Sequence, residues 1–471
     1  MADLKKRHIY LICMLALIGL FHACAGMRAV MNAIAAGTLW VRQRLGLLWG
    51  LVSFSAAELL CCLGILVLIA WAVWTAVSVC GHKGERLKYL WRRVSLLLAV
   101  LLNLYLLLCL FLGASYRADG FQEKSGIRGR PTDVESLYLT TARFARGLGE
   151  TAELVPRDAD GCFAASLEEI FTASPQIYRG AEALFPFLAL EDRAPKRAFF
   201  SRLMSTFNYT GFYFPFTGEA NINIDPPACL IPATIAHEMA HQRGVASEQE
   251  ANFVAVVTCL LSGDPLYTYS GWLFGFAHLG NALYRYDPDR YFELAGALPE
   301  GVRADLHKNN VYWEQFETKA AKVSEKVYDT MLKSYGQELG VRSYGAVVDL
   351  LIAWAETEMP ERQEAGEPDL KTLFPEYYGL DTFKGLEVYL WQEADGSYRC
   401  GVLTGTNRNK TAEELTGLTR NGATIEQMKE ILSSYSLDKD MIAIIPVQVS
   451  ETTYETADFA FARVRELFWG D

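Results

Sequence analysis

Between His237 and Asn252 the chain reads HEMAHQRGVASEQEAN. Histidines four residues apart lie one turn apart on one face of a helix, where two imidazole nitrogens can meet one tetrahedral ion. Glu238, between them, is placed to take a proton from a water at such an ion. With seven histidines among 471 residues, chance supplies H-E-x-x-H about 0.01 times. A purely structural metal site has no need of that glutamate. The set therefore points to hydrolysis with zinc as cofactor, His237 and His241 as ligands and Glu238 as base.

A third ligand is needed. In zincins of pattern H-E-x-x-H-x-x-G-x-x-H a third histidine follows a glycine turn. Gly244 stands at that glycine, but Ser247 stands at the histidine position and is a poor ligand. Glu248 and Glu250 are the alternatives. Two residues apart, they point about 200° apart around a helix, so only one can face the ion. Glu248 shares its face with Ala251, which permits close helix packing, and with Asn252, placed to accept an N–H from a ligand histidine. Ser247 and Glu250 suit a capping box, which leaves Glu248 as the expected ligand.

These residues need a frame. Pro232 suits the first turn of a helix carrying the two histidines, Gly244 ends it, and a second apolar helix runs to about Leu261. Before them, Met204–Pro227 is rich in Phe, Tyr, Thr and Ile and reads as extended, with Pro215 marking an edge strand. Its Glu219, Asn221 and Asn223 are candidate substrate-binding residues; turn and surface polarity is the alternative. Tyr269, His278 and Tyr344 are candidate oxyanion stabilisers, although each such residue alone is more often a core aromatic or a satisfied histidine. Further helices are expected at about Asp133–Leu148, Leu167–Phe187, Trp272–Leu283, Asn310–Leu339 and Tyr344–Glu358. Residues 359–382 read as a linker. Residues 383–471 read as a small α/β module with a hairpin around Asp395-Gly396.

The front of the chain differs from the rest. Residues 1–114 hold eleven Lys/Arg and three Asp/Glu, against 33 and 52 in the remainder. An acidic domain without clustered Lys/Arg excludes nucleic acid as a partner. Three uncharged apolar stretches, at about residues 9–26, 59–80 and 94–114, match the roughly 20 residues that cross a bilayer. The basic start MADLKKR and the basic loop GHKGERLKYLWRR then lie in the cytoplasm, and residues 115–471 outside. The first stretch also reads as a signal peptide with ACA as its cleavage site, which leaves the large domain on the same side. Residues 27–54, with Trp40, Trp49 and interspersed arginines, read as an interfacial or re-entrant segment. Glu58 reads as a snorkelling end-cap of the second span or a polar partner within the bundle. Cysteine spacing shows no zinc ribbon and no disulfide scaffold.

The three-span front, YFPFTGEANIN at Tyr213–Asn223, HEMAHQRGVASEQEAN, and GVRSYGAVVDLL at Gly340–Leu351 together resemble an uncharacterised family of bacterial membrane proteins assigned to the glutamate zincins. The resemblance covers roughly residues 1–358. It implies a zinc-dependent peptidase with His237, His241 and Glu248 as ligands and Glu238 as base. Asn252 stands where related zincins carry aspartate. The expectation is a mainly α protein: three membrane helices (1–114), a mostly helical zincin-like domain with a short edge strand (115–358), and the α/β module. Its partners are the lipid bilayer and a peptide or protein substrate outside the membrane. Two competitors remain: a zinc-binding sensor or interaction module without turnover, and a zinc amidase acting on cell-wall peptide.

Overall fold

The computed structural model describes residues 2–316 except 83, 130–132 and 192, single positions at 322, 326 and 330, residues 344–357, and the strand segments 386–392, 398–404 and 442–444. Residues Met1–Glu358 form one compact unit and Met359–Asp471 a second. The expected linker at 359–382 lies outside the described residues. So do the helices expected in the C-terminal module.

The first unit is mainly helical. Helices α1 (Ala2–Cys24), α3 (Ala56–Gly81) and α4 (Arg86–Leu108, continued by a π-turn and a further turn to Arg117) include three segments long and apolar enough to cross a membrane. Their apolar side chains are largely exposed, as a lipid-facing surface requires. Helices α1 and α4 run parallel: Arg7 donates to the Arg92 carbonyl near one end, and His22 meets the Tyr105 hydroxyl at 3.0 Å near the other. Between them in sequence, α2 (Arg28–Trp49) is long enough for a span but, with Arg28, Arg42 and Arg44 among its apolar residues, is not apolar enough to be one. It packs on the end of α4, where Arg28 donates to the carbonyls of Arg117 and Ala118.

The first turn of α3 is clamped to the remainder of the unit. The buried Glu219 carboxylate accepts from the free N–H groups of Ala56 and Ala57 at 3.3 and 3.0 Å, the interaction a helix N-terminus favours. Glu58 in turn accepts from the backbone N–H groups of Phe199 and Phe200 at 2.8 and 2.9 Å. Glu58 is therefore a tether between span and domain. Neither snorkelling nor a partner inside the bundle describes it.

Helices α5 (Phe121–Ser125) and α6 (Val134–Thr151) follow. The single helix expected over Leu167–Phe187 is instead broken into Leu167–Ala173, Arg179–Leu184 and short 3₁₀ turns at Ser174–Gln176 and Pro186–Leu188. Pro175 and Pro186 lack the N–H that a continuous helix would use. A small sheet then forms in the order β1-β3-β2, from β1 (Lys196–Arg197), β2 (Gly211–Phe214) and β3 (Glu219–Ile222). Strand β2 pairs antiparallel with β3, and β1 parallel. Pro215 lies in the turn between β2 and β3, which explains its tolerance.

Helices α7 (Ile231–Gln242) and α8 (Glu248–Leu261) pack against each other through Ala236, Met239, Ala240 and Ala251, all buried. Pro232 opens α7. Gly244, at φ 89°, ends it in a left-handed conformation that a β-carbon would oppose. Behind them lie α9 (Pro265–Tyr286), α10 (Glu300–Glu314) and α11 (Tyr344–Thr357). Helix α9 is longer than expected. Of the helix expected over Asn310–Leu339, the first residues belong to α10, which begins at Glu300 and ends at Glu314; most of the rest lies outside the described residues. In the second unit, β4 (Leu386–Gln392) and β5 (Tyr398–Thr404) pair antiparallel, the turn expected at Asp395-Gly396 lying outside the described residues, and β6 (Ile442–Ile444) pairs parallel with β4.

Candidate metal centre

Helix α7 presents His237 and His241 on one face, and the tight turn at Gly244 brings Glu248, the first residue of α8, back to them. The two Nε2 atoms stand 3.2 Å apart. Glu248 Oε2 lies 3.3 Å from His237 Nε2, and its Oε1 lies 3.6 Å from His241 Nε2. These three residues form the group among the described residues whose donor atoms can hold one metal ion. His241 Nδ1 is 2.7 Å from the Val245 carbonyl, a contact that fixes this nitrogen as the N–H and leaves Nε2 free as a ligand. Val245 thus fills for His241 the orienting role that sequence assigned to Asn252. Asn252 itself lines the cavity one turn beyond Glu248.

Electrostatics follow from crowding three titratable groups. Burial alone would lower the His241 imidazole, but the adjoining Glu248 outweighs it and lifts it to about 9. Burial would raise Glu248, yet His241 and His237 hold it well below the ordinary carboxylate range. Such mutual stabilisation marks a site ready to exchange protons for a cation. Glu238 is pushed up, chiefly by burial, with His237 and His241 opposing and Glu248 adding. Its Oε2 is buried without a hydrogen-bond partner among the described residues, as is His237 Nδ1. A carboxylate in that state is a good proton acceptor.

The group lies on the wall of a cavity of about 620 Å³. Gly211, Phe212 and Tyr213 of β2 line the same cavity, as does His278. Strand β2 is an edge of its sheet. Leu112, Ser115 and Tyr116, at the end of the third apolar helix, line the cavity too, as does Arg42 of α2. The sequence offered no signal for these four beyond their place beside the spans.

The structure distributes the other expected residues unevenly. Glu219 and Asn221 lie on the central strand β3, buried, and do not line the cavity. Glu219 is committed to the N-terminus of α3, and Asn221 Nδ2 donates to the Glu219 carbonyl at 3.2 Å. They are corrected from substrate-binding to internal positions. Asn223 does reach the cavity wall, with its amide donating to Ser205 Oγ and the Tyr209 carbonyl, both at 2.8 Å. The edge that faces the cavity is β2, one strand earlier than the three polar residues. Tyr269 is no oxyanion stabiliser: its hydroxyl donates to Asp305 and its ring stacks on Phe163, away from the cavity lining. His278 lines the cavity, and burial beside His237 lowers it to about 4, so it is neutral at ordinary pH. Tyr344 opens α11, and its side chain lies outside the described residues.

Glu250 also departs from expectation. Ser247 makes no side-chain cap to its own helix. The Glu250 carboxylate reaches instead to the N-terminus of α5, accepting from Phe121 N at 2.9 Å and Gln122 N at 3.1 Å. It faces away from the histidines, as the 200° argument requires, but the helix it caps is a distant one.

A family model described as a protein of unknown function (DUF3810) matches residues 38–352, from within α2 to within α11. No curated protein and no solved structure matches.

Proposed function

We propose that this chain, which belongs to the DUF3810 family, is a membrane-anchored zinc peptidase of the glutamate-zincin kind, acting on peptide or protein segments outside the cytoplasm. The observation that carries this reading is the triangle of His237, His241 and Glu248 donors with the buried, partnerless Glu238 carboxylate beside it. The two Nε2 atoms 3.2 Å apart, with one Glu248 oxygen 3.3 Å from His237 and the other 3.6 Å from His241, are close to the spacing zinc asks for: donors bound tetrahedrally at about 2.0–2.1 Å stand about 3.3–3.4 Å apart. Two nitrogens and one carboxylate oxygen are also a donor set of catalytic zinc, with a fourth position left open.

When bound, zinc supplies a Lewis acid that acidifies water and polarises the scissile carbonyl. The rest falls to the chain. His237, His241 and Glu248 hold the ion. Glu238, raised by burial, accepts a proton at the carboxylate and passes it to the departing amine. Neutral His278, which lines the same cavity, would donate to the developing oxyanion. The backbone of β2 offers an unpaired edge to an extended peptide, which aligns it by main-chain hydrogen bonds.

The test uses the full-length protein in detergent. Wild type should carry about one zinc per chain and hydrolyse members of a peptide library in a chelator-sensitive manner. Glu238→Gln should keep zinc and lose hydrolysis by about 10²–10⁴-fold. Zinc without hydrolysis in wild type favours the non-catalytic binding module, and hydrolysis confined to muropeptides favours the amidase.

A further inference from the structure

The segment between β1 and β2 carries apolar side chains that a soluble domain would bury. Phe199 is 85% exposed, and Phe200, Leu203 and Phe207 are also exposed. They surround the short helix Ser201–Thr206. Their backbone is held at one defined place, because Glu58 in the first turn of α3 accepts from Phe199 N and Phe200 N. The ridge therefore stands beside the root of an apolar helix.

Depth can be counted along the helices. A hydrocarbon core takes about 20 helical residues. From Arg93, the last basic residue before the third apolar stretch, that count ends at about Gly113. From Gly81 backwards along α3 it ends at about Cys62. Glu58 with its Phe199–Phe200 ridge, and the cavity-lining Leu112, Ser115 and Tyr116, thus stand at one level, where hydrocarbon gives way to headgroups. Phe207 belongs to both, closing the ridge and lining the cavity. Aromatic side chains on a short helix at this level are those that settle into a bilayer interface.

We propose that the Phe199–Phe200–Leu203 ridge rests in the headgroup layer, so that the cavity opens at the bilayer surface and receives the juxtamembrane segment of a membrane-anchored polypeptide. The choice of a polypeptide rests on the peptidase reading above; the position of the ridge does not. Lipid is the occupant because the ridge continues the exposed apolar surface of α3, to which it is tied. A tethered substrate reaches the β2 edge at a high effective concentration, which a free peptide lacks.

Two measurements on the zinc-loaded, full-length protein test this in vesicles of phosphatidylcholine and phosphatidylglycerol. In the first, p-benzoylphenylalanine is introduced at position 199 and, as a control, at the exposed Phe292. A lipid adduct at 199 well above that at 292 is expected; equal or absent adducts overturn the ridge assignment whatever the hydrolysis. In the second, a fluorogenic peptide library is offered free or on a diacyl-lipid anchor. Anchored peptides should be cleaved with kcat/KM higher on the order of 10²-fold, and Phe199→Ser should diminish that advantage while leaving free-peptide cleavage unchanged. Equal rates for free and anchored peptides overturn the substrate assignment. An adduct at 199 with neither form cleaved upholds the ridge and overturns the peptidase reading together with the substrate drawn from it.

Discussion

Gly211 of β2 lies directly against Glu238 of α7. A β-carbon at 211 would stand 2.7 Å from both Glu238 Cγ and Oε1, closer than such atoms approach. Glycine lets the edge strand and the Glu238 carboxylate share this space. Gly211→Ala should keep the metal ligands and the fold but displace the base. A misplacement of about 1 Å can cost on the order of 10²-fold in rate, so kcat should fall to that degree with zinc content unchanged. Loss of zinc in this variant would show that the strand supports the ligands and not the base.

The two neighbouring glutamates should separate cleanly. Glu248→Ala removes a vertex of the donor triangle and should lose both zinc and activity. Glu250→Ala should retain zinc, but it strands the buried N–H groups of Phe121 and Gln122, a cost of about 1–3 kcal/mol. Thermal unfolding and metal analysis of both variants check this. Zinc lost only from Glu250→Ala would reverse the assignment.

His278 gives a pH signature. Its folded-state value of about 4 lies below the ordinary 6.5, because burial beside His237 disfavours the charged form. Below pH 6.5 the unfolded chain takes up a proton that the folded chain refuses until about pH 4. Stability present above pH 6.5 is therefore lost progressively as pH falls from 6.5 to 4. Denaturant melts of His278→Phe should show a shallower loss over that window than wild type. Identical slopes would contradict the burial argument.

Topology is open to a direct check. The N-terminus of α1 and the turn between α3 and α4 occupy one end of the helical bundle, and the metal centre lies at the other. Basic residues mark the first end, as cytoplasmic loops are marked. Protease added to intact cells should cut within residues 115–471 and spare tags placed at 82–85. Protection of the large segment would place the metal centre in the cytoplasm.

What the sequence disclosed was local. The meeting of His237 and His241 was legible because a helix turns once in about four residues, and that of Glu248 with them because only one face of its helix can turn toward the pair. The three apolar helices were legible from length and charge alone. Contacts between distant parts were not. Glu250 meets Phe121 across 129 positions, and Glu219 meets Ala57 across 162; nothing near either glutamate names its partner. The edge strand was assigned to the right stretch, but a two-residue strand, Lys196–Arg197, decides that β3 is interior and β2 the edge. Such a strand has no periodicity to detect. The breaks near Pro175 and Pro186 were visible in the residues themselves and were outweighed by the surrounding helical pattern.

The paired carboxylates Glu58 and Glu219 carry a practical consequence. Each sits on one side of the junction between the second apolar helix and the sheet, and each holds backbone N–H groups on the other side. Cutting the chain at residue 114 would leave the buried Glu219 carboxylate without its donors, one strand away from β2 and Glu238, and would remove Arg42 and Leu112 from the cavity wall. The apolar helices that look like a detachable leash are thus built into the candidate site itself. A fragment cut free of the apolar helices is therefore not expected to keep the candidate site intact, and a ligand for that site will have to be sought with the full-length chain.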